Sequence, residues 1–203
     1  MQQILDGIGR DGFCVINDFL PYGKITLLAD EAKRLLEAGA MRRARTGQGN
    51  AAAPDSSVRG DFIHWLDEEQ DTSSAAGATL QEYFARMHSL RENLHREFYL
   101  GLLDIESHFT IYPPGAIYRK HLDQFRGNEQ RQVSSILYLN QGWQHAHGGQ
   151  LRLYLNGSES TPYRDIEPMG GTLVLFLSGR FWHEVLPATQ QRISLTGWLR
   201  TRA

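Results

Sequence analysis

The first half of the chain is patterned mainly for helices. Across residues 21–41, apolar side chains recur every three or four positions with charged residues between them, which is the spacing of one buried helix face. A longer stripe of the same kind covers residues 79–103. Short apolar runs at 13–20 and 59–67 predict a single strand ahead of each helix.

The periodicity changes to that of strands from residue 106 onward. Short β-rich runs follow one another, separated by Gly, Pro and Asn turn residues, as expected for a sandwich or barrel. The runs are SHFTIYPP, YRKHLDQF, VSSILYLNQ, GQLRLYLN, GGTLVLFLSG, WHEVLPA and RISLTGWLR. Helices first and strands afterwards predict an α+β fold with the helices on one side of a β-core. We predict one domain over residues 1–203, with helical support and a loop in 1–105 and the β-core in 106–203.

Composition limits the environment and the partners of this domain. Its 203 residues are 41% hydrophobic, which is enough for a core without staples. The formal net charge of −2 gives no overall basic field, so we expect no nucleic-acid partner. Cys14 is the only cysteine, no apolar run approaches the roughly 20 residues of a membrane span, and the N-terminus lacks a secretory pattern. We expect a cytoplasmic monomer without a membrane segment.

Three residues of the β-half have the types and spacing of a metal site. His121 and Asp123 lie two apart on a predicted strand, so their side chains point to the same face. His183, sixty positions further on at the start of another predicted strand, supplies a third ligand. Two imidazoles and one carboxylate on one face of an octahedron leave three positions open, an arrangement diagnostic of non-haem Fe(II) oxygenases. Those positions suit a chelating 2-oxo acid and O2.

An arginine close to the third ligand strengthens this interpretation. Arg192 follows His183 by nine positions on the next predicted strand, so a hairpin can place its guanidinium beside the metal pocket. A dicarboxylate chelated to iron at one end needs a partner for its far carboxylate, and arginine binds carboxylates bidentately. A lone His-x-Asp pair is a weak signal, but the four residues together favour a 2-oxoglutarate site.

The runs around these residues resemble a known family. IYPPG, YRKHLDQF, SSILYLNQGW, GGQLRLYL, DIEPMGGTLVLFLS, HEVLPA and RISLTGWL are similar to the bacterial form of the prolyl hydroxylases related to the oxygen-sensing (hypoxia-inducible factor) hydroxylases of animals. The resemblance covers about residues 106–200 and extends weakly to VRGDFIHWL upstream. It implies a double-stranded β-helix, or jelly-roll, core and a dioxygenase that uses Fe(II), 2-oxoglutarate and O2.

The resemblance also assigns roles to single residues. His121, Asp123 and His183 match the iron ligands, and Arg192 matches the residue that pairs with the distal carboxylate of 2-oxoglutarate. The further pocket residues that it implies are Tyr138, which hydrogen-bonds the same carboxylate, Thr196, a pocket hydroxyl, and Trp198, a pocket wall. Tyr112 and Tyr118 fall near further tyrosines that line the site in this family, and the loop between them is shorter here.

The implied reaction is hydroxylation of a prolyl residue of a protein at the 4-position. Bacterial members of the group suggest elongation factor Tu as the protein substrate, oxygen sensing as a role, and ascorbate as a supporting reductant. Residues 42–58 carry few large apolar groups, so we predict a mobile loop that could act as a lid over the site. Arg59, directly after it, is a candidate for substrate contact, as is Tyr118.

Other functions stay open at this point. The same iron chemistry could act on a free amino acid or another small molecule, or the fold could be a non-catalytic metal- or sugar-binding jelly-roll module. An alkylated nucleobase is disfavoured, because nucleic-acid dealkylases usually carry a second arginine six residues after the first, where this chain has Trp198. His145 and His147 suggest a cupin-like metal site, but the carboxylate expected a few residues later is missing, so we predict a polar loop.

Overall fold

The computed structural model describes residues 1–45, 55–68, 74–124, 129–156 and 162–201. Within these ranges the chain forms three α-helices, α1 (Gln2–Asp11), α2 (Tyr22–Glu37) and α3 (Ala75–Phe98). None of the described helices is long and apolar enough to cross a lipid bilayer.

The strands form two antiparallel sheets. They are β1 (Phe13–Ile16), β2 (Arg42–Arg43), β3 (Phe62–Trp65), β4 (Asp104–Tyr112), β5 (Tyr118–His121), β6 (Arg131–Tyr138), β7 (Leu151–Tyr154), β8 (Tyr163–Ile166), β9 (Leu173–Leu177), β10 (His183–Val185) and β11 (Arg192–Arg200). The larger sheet has the order β1-β9-β6-β11-β4-β3-β2 and the smaller β5-β10-β7-β8. Strands β4 to β11 distribute four to each sheet in jelly-roll order, which confirms the predicted α+β jelly-roll.

Strand alternation separates the apolar support of the larger sheet from its polar face. Ile193, Leu195 and Leu199 of β11 join the same buried cluster as the apolar stripes of α2 and α3. Arg192, Thr196 and the remaining even-numbered residues of β11 point the other way, because successive side chains of a strand alternate. The helices therefore stabilise the sheet from behind and leave its opposite face for a binding site.

Several elements differ from the sequence prediction. Helix α1 was not expected, because only Ile4 and Ile8 mark its buried apolar stripe and glycines dilute the pattern. Helix α3 begins at Ala75 and ends at Phe98, where Tyr99 takes a left-handed conformation with φ of 54°, so the predicted extension to residue 103 is wrong. Strand β8 is also additional.

The predicted loop at 42–58 is partly ordered. Arg42 and Arg43 form β2 and pair with Ile63 and Phe62, so the prediction of irregular structure is wrong at these two positions. Residues 46–54 lie outside the described residues, and the lid predicted there stays a prediction. The described end of the segment, from Asp55 onward, leads to Arg59, which bridges to Tyr118 on β5. The described end of the predicted lid, residues 55–58, thus lies against the smaller sheet, where Arg119 donates to the carbonyl oxygens of Ser57 and Val58.

Candidate active site

The two histidines of the predicted metal site lie side by side between the sheets. His121 at the end of β5 pairs directly with His183 at the start of β10, and their ring centroids are 4.2 Å apart. Asp123 follows β5 in a bend rather than within the strand, yet its carboxylate turns toward the same point. Its Oδ1 lies 3.6 Å from His121 Nε2 and its Oδ2 lies 3.6 Å from His183 Nε2.

Backbone carbonyls determine which nitrogen of each imidazole can bind a metal. His121 Nδ1 lies 2.7 Å from the carbonyl oxygen of Arg119, and His183 Nδ1 lies 3.0 Å from that of Phe181. A carbonyl only accepts hydrogen bonds, so both Nδ1 atoms carry a proton and Nε2 is the nitrogen that each ring can offer to a metal. The three ligand atoms lie within 4.8 Å of one another, which lets them hold one metal ion.

A serine that sequence reasoning missed orients the carboxylate. Ser134 on β6 donates a hydrogen bond of 2.6 Å to Asp123 Oδ2, and its hydroxyl lies 2.8 Å from that of Ser178. Burial alone would raise the pKa of Asp123, but His183, His121 and the Ser134 hydroxyl outweigh it and hold the pKa below its usual value. The carboxylate is therefore ionised and turned toward the histidines before any metal arrives.

We predict that Ser134→Ala weakens Fe(II) binding by about 10- to 100-fold, the usual effect of removing a partner of a metal ligand. Competition with a calibrated chelator under anaerobic conditions measures the change. Ser135→Ala is the matched control, since Ser135 is equally buried but points to the opposite face of β6. An affinity that falls equally in both variants would mean that strand packing, not carboxylate orientation, is responsible.

Two buried imidazoles, those of His183 and His108, make the free energy of unfolding depend on pH. Burial is the main cause that lowers the pKa of His183 to about 4, and burial also lowers the pKa of His108 well below its ordinary value. The unfolded chain therefore binds more protons than the folded chain between about pH 6.5 and 4. The free energy of unfolding is then largest above pH 6.5 and falls as pH drops through this window.

We predict that the metal-free protein loses roughly 3 kcal/mol of stability from His183 alone between pH 7.5 and 4. Urea denaturation at a series of pH values measures the loss. His183→Phe, which removes the titrating imidazole, should lose this part of the pH dependence. A flat profile in the unmodified protein would contradict the prediction.

A second polar group lies at the other end of the same space. Arg192 is 2% exposed, and its Nε donates a 2.9 Å hydrogen bond to the carbonyl oxygen of Gly149. Its guanidinium lies 4.9 Å from the ring centre of Tyr138 and 5.3 Å from that of Tyr112. Among the described residues, neither Arg192 Nη2 nor the Tyr138 hydroxyl has a hydrogen-bond partner. Unpaired buried donors are costly, so this end is built to receive an acceptor such as a carboxylate.

One cavity connects the two ends. It is lined by Arg59, Thr110, Tyr112, Tyr118, His121, Asp123, Ile136, Leu151, His183, Val185, Arg192, Thr196 and Trp198. Every site residue predicted from the sequence lines it except Tyr138, which is fully buried beside Arg192. Thr110, Ile136, Leu151 and Val185 were missed. Each lies two positions along its strand from another inward-facing residue, but that signal identifies the cavity only once the two sheets are known to face each other.

Arg59 is fixed in place rather than solvated. It forms a bidentate ion pair with buried Asp61, at 2.7 and 2.9 Å, and its guanidinium lies 4.6 Å from the ring centre of Tyr118. Tyr118 in turn stacks on His121 with centroids 3.5 Å apart. Gly60 donates to the carbonyl oxygen of Ile117, which ties the segment to β5. The Arg59 side chain thus closes one side of the cavity next to a metal-site histidine.

Glu184, the residue after the ligand His183, and the pair His145 and His147 do not line the cavity. Glu184 accepts a hydrogen bond from Tyr154 at 2.7 Å, on the side of β10 opposite His183. His145 and His147 form a short 3₁₀ turn, in which His145 contacts Glu167 and His147 contacts the backbone of Gln144. The polar loop predicted for this pair is what the structure has.

Comparison with known proteins identifies the family. Residues 107–200 match the model of the 2OG-Fe(II) oxygenase superfamily. A crystal structure of a Pseudomonas putida prolyl-4-hydroxylase is 41% identical, with a TM-score of 0.86 over 98% of both chains. This chain belongs to the 2OG-Fe(II) oxygenase superfamily. The donor set fits its metal, since two neutral imidazoles and one ionised carboxylate suit Fe(II). The unpaired groups of Arg192 and Tyr138 fit the far carboxylate of its 2-oxo acid.

Other relatives of this oxygenase are prolyl hydroxylases from animals. Human Egl nine homolog 1 is 30% identical over 207 residues, which cover 98% of this chain but 46% of the human protein. A Trichoplax adhaerens prolyl hydroxylase, solved in complex with a hypoxia-inducible factor oxygen degradation domain peptide fragment, is 27% identical with a TM-score of 0.85 over 98% of this chain and 88% of that one. The oxygenase spans about half the length of the first curated relatives it matches.

Proposed function

We propose that this oxygenase hydroxylates a prolyl residue of a protein substrate at the 4-position. The observation that carries the proposal is one cavity with two complementary ends. At one end, the ligand atoms of His121, Asp123 and His183 converge. At the other end lie Arg192 and Tyr138, whose Nη2 and hydroxyl have no partner among the described residues. A small dicarboxylate that chelates the metal and reaches the arginine fits both ends together.

The metal would be held by His121 Nε2, His183 Nε2 and a carboxylate oxygen of Asp123. Iron bound there would supply the activation of O2, with one oxygen atom passing to succinate as 2-oxoglutarate loses CO2 and the other to the hydroxylated carbon. Burial is the main cause that lowers the pKa of His183 to about 4, so this ligand accepts the metal at neutral pH without first losing a proton.

Co-substrate binding would depend on Arg192, Tyr138 and Thr196. The guanidinium and the phenol would pair with the distal carboxylate, while the hydroxyl of Thr196 lies on the same inward face of β11. Tyr112 is the cross-strand neighbour of Arg192 on β4, and its ring centre lies 5.3 Å from the guanidinium. Apolar walls around the charged groups would exclude water and strengthen the pairing.

The protein substrate would approach the metal end past Arg59, Tyr118 and Trp198. Arg59 and Tyr118 are held by Asp61 and by stacking on His121, so this side of the cavity is preorganised. An aromatic wall suits the apolar ring of proline. The prolyl hydroxylases among the relatives support proline as the target residue. Elongation factor Tu is the protein substrate that we propose, by analogy, and ascorbate the reductant that sustains turnover.

The test supplies the protein with Fe(II), 2-oxoglutarate, ascorbate and O2. Three alternative substrates are offered: elongation factor Tu, a pool of acetylated and amidated heptapeptides with proline at the centre, and free L-proline. A gain of 16 Da on a prolyl residue, with amino-acid analysis identifying 4-hydroxyproline, is the expected result for the first two. Product from free proline alone would favour the small-molecule alternative, and no product from any of them would refute prolyl hydroxylation.

A further inference from the structure

His108 on β4 is a buried histidine without a structural explanation. It is 1% exposed, and neither ring nitrogen has a hydrogen-bond partner among the described residues. Buried polar atoms of this kind are rare, because each gives up its bonds to water and receives nothing in return. An apolar side chain of similar volume would avoid that loss, so the imidazole is not required for packing.

The imidazole packs against two indoles. Its ring centroid is 4.7 Å from that of Trp65 and 5.5 Å from that of Trp198, with an angle of only 19° to the Trp198 plane. The two indole centroids are 6.3 Å apart, so the three rings form a triangle, and we call Trp65, His108 and Trp198 the aromatic stack. The guanidinium of Arg131 lies 3.5 Å from the ring centre of Trp198, and Glu106 holds Arg131 at 2.8 Å. These contacts hold the imidazole in place while both of its nitrogens stay without a partner among the described residues.

The stack continues the wall of the active-site cavity. His108 lies two and four positions before Thr110 and Tyr112, which line the cavity, so the three side chains share one face of β4. It pairs across the sheet with Thr196, another cavity residue. At the opposite end Trp65 is 36% exposed. The stack thus runs from the metal cavity to the protein surface.

The protonation state of His108 limits the kind of molecule that its ring can hydrogen-bond. Burial, with further repulsion from Arg59 and Arg131, lowers the pKa of His108 well below its ordinary value. A neutral imidazole presents one donor and one acceptor at opposite edges of its ring. A backbone peptide group also presents one of each, whereas a free amino acid presents a charged ammonium and a charged carboxylate. The edges of the imidazole therefore match a polypeptide better than a free amino acid.

We propose that His108 determines specificity by hydrogen-bonding the polypeptide backbone next to the target residue. This proposal rests on the proposed function. Trp65, the one partly exposed member of the stack, would move aside as the chain docks and would give the ring edge access. His108 would in this way select a residue within a polypeptide over the free amino acid.

The test compares three variants. His108→Phe keeps a flat ring against the indoles and removes both nitrogens. His108→Gln restores one donor and one acceptor, and His95→Phe makes the same chemical change at an exposed site. The substrate is the proline-centred heptapeptide pool at a concentration below saturation, and the rate of 16 Da gain is measured. Urea denaturation and anaerobic titration with 2-oxoglutarate accompany each variant.

His108→Phe is expected to lower the rate on the pool about tenfold, which is the value of one to two hydrogen bonds. His108→Gln should recover part of that loss, and His95→Phe should match the unmodified protein. The urea midpoint of His108→Phe should be equal or higher, because two unpaired buried nitrogens are removed, and its 2-oxoglutarate affinity should be unchanged.

Three results would overturn the proposal. The first is an unchanged rate in His108→Phe. The second is a lower rate in His108→Phe together with a lower urea midpoint, neither of which His108→Gln restores, because this would mean that His108 acts through packing. The third is no peptide product from the unmodified protein while 2-oxoglutarate still binds. That last result refutes prolyl hydroxylation itself, so it is distinct from a failure that concerns His108 alone.

Discussion

His183→Ala is expected to abolish the weak visible charge-transfer band that appears when 2-oxoglutarate chelates Fe(II) in the oxygenase. The substitution removes one of the three ligand atoms that converge within 4.8 Å. Loss of an outer-shell partner commonly costs 10- to 100-fold in metal affinity or activity, so loss of a ligand should reduce turnover by more than about 100-fold. Anaerobic titration of Fe(II)-loaded protein with 2-oxoglutarate measures the band.

The control for His183→Ala separates metal binding from folding. His95→Ala removes an imidazole from the exposed face of α3 and should leave the band intact. The urea midpoint of metal-free His183→Ala should fall no further than a cavity-forming substitution lowers it. The histidine is neutral, and among the described residues its side chain hydrogen-bonds only the carbonyl oxygen of Phe181. A band of normal intensity in His183→Ala would contradict the assignment of the metal site.

Arg192→Met is expected to raise the 2-oxoglutarate concentration needed for half-maximal band intensity by about 30-fold or more. The guanidinium is buried, and loss of one partner of a buried charge pair typically costs 2–5 kcal/mol, which corresponds to roughly 30- to 5000-fold. Methionine fills much of the same volume. Metal binding itself should persist, because Arg192 contacts none of the three ligands in the structure.

The stability of metal-free Arg192→Met is a second measurement, independent of 2-oxoglutarate binding. With Nη2 unpaired, the arginine is stabilised only in part, so its replacement should leave the metal-free protein as stable as before or more stable. Arg200→Met, on the same strand but paired with Asp104 and Glu106 near the surface, is the matched control and should bind 2-oxoglutarate normally. Equal loss of affinity in both variants would mean that charge on β11, and not position 192, is what the co-substrate needs.

The metal ligands that the sequence predicted lie on or next to predicted strands. His121 and Asp123 are two apart, although Asp123 lies in a bend just after β5. The hairpin expected between His183 and Arg192 is wrong, because β10 belongs to the smaller sheet and β11 to the larger, yet both side chains line one cavity. The strands of the β-core other than β8 were predictable, because alternation and turn residues mark them.

The residues that were missed depend on partners far away in the chain. Ser134 orients Asp123 across eleven positions, and Asp61 matters only because Arg59 turns inward beside β5. His108 had no partner at useful spacing, and its contact with two indoles follows from pairing of β4 with β3 and β11. Single-sequence patterns do not record which strands become neighbours, so these contacts needed the structure.

The turn at residues 178–182 limits how this oxygenase can evolve. The hydroxyl of Ser178 lies 2.8 Å from that of Ser134, and the carbonyl oxygen of Phe181 accepts a hydrogen bond from His183 Nδ1. Strand β10 begins directly after this turn, at His183. Because side chains alternate along a strand, gain or loss of one residue here would present Glu184 to the cavity in place of His183. Substitutions in this turn can accumulate one at a time, but a change in its length exchanges a metal ligand in a single step.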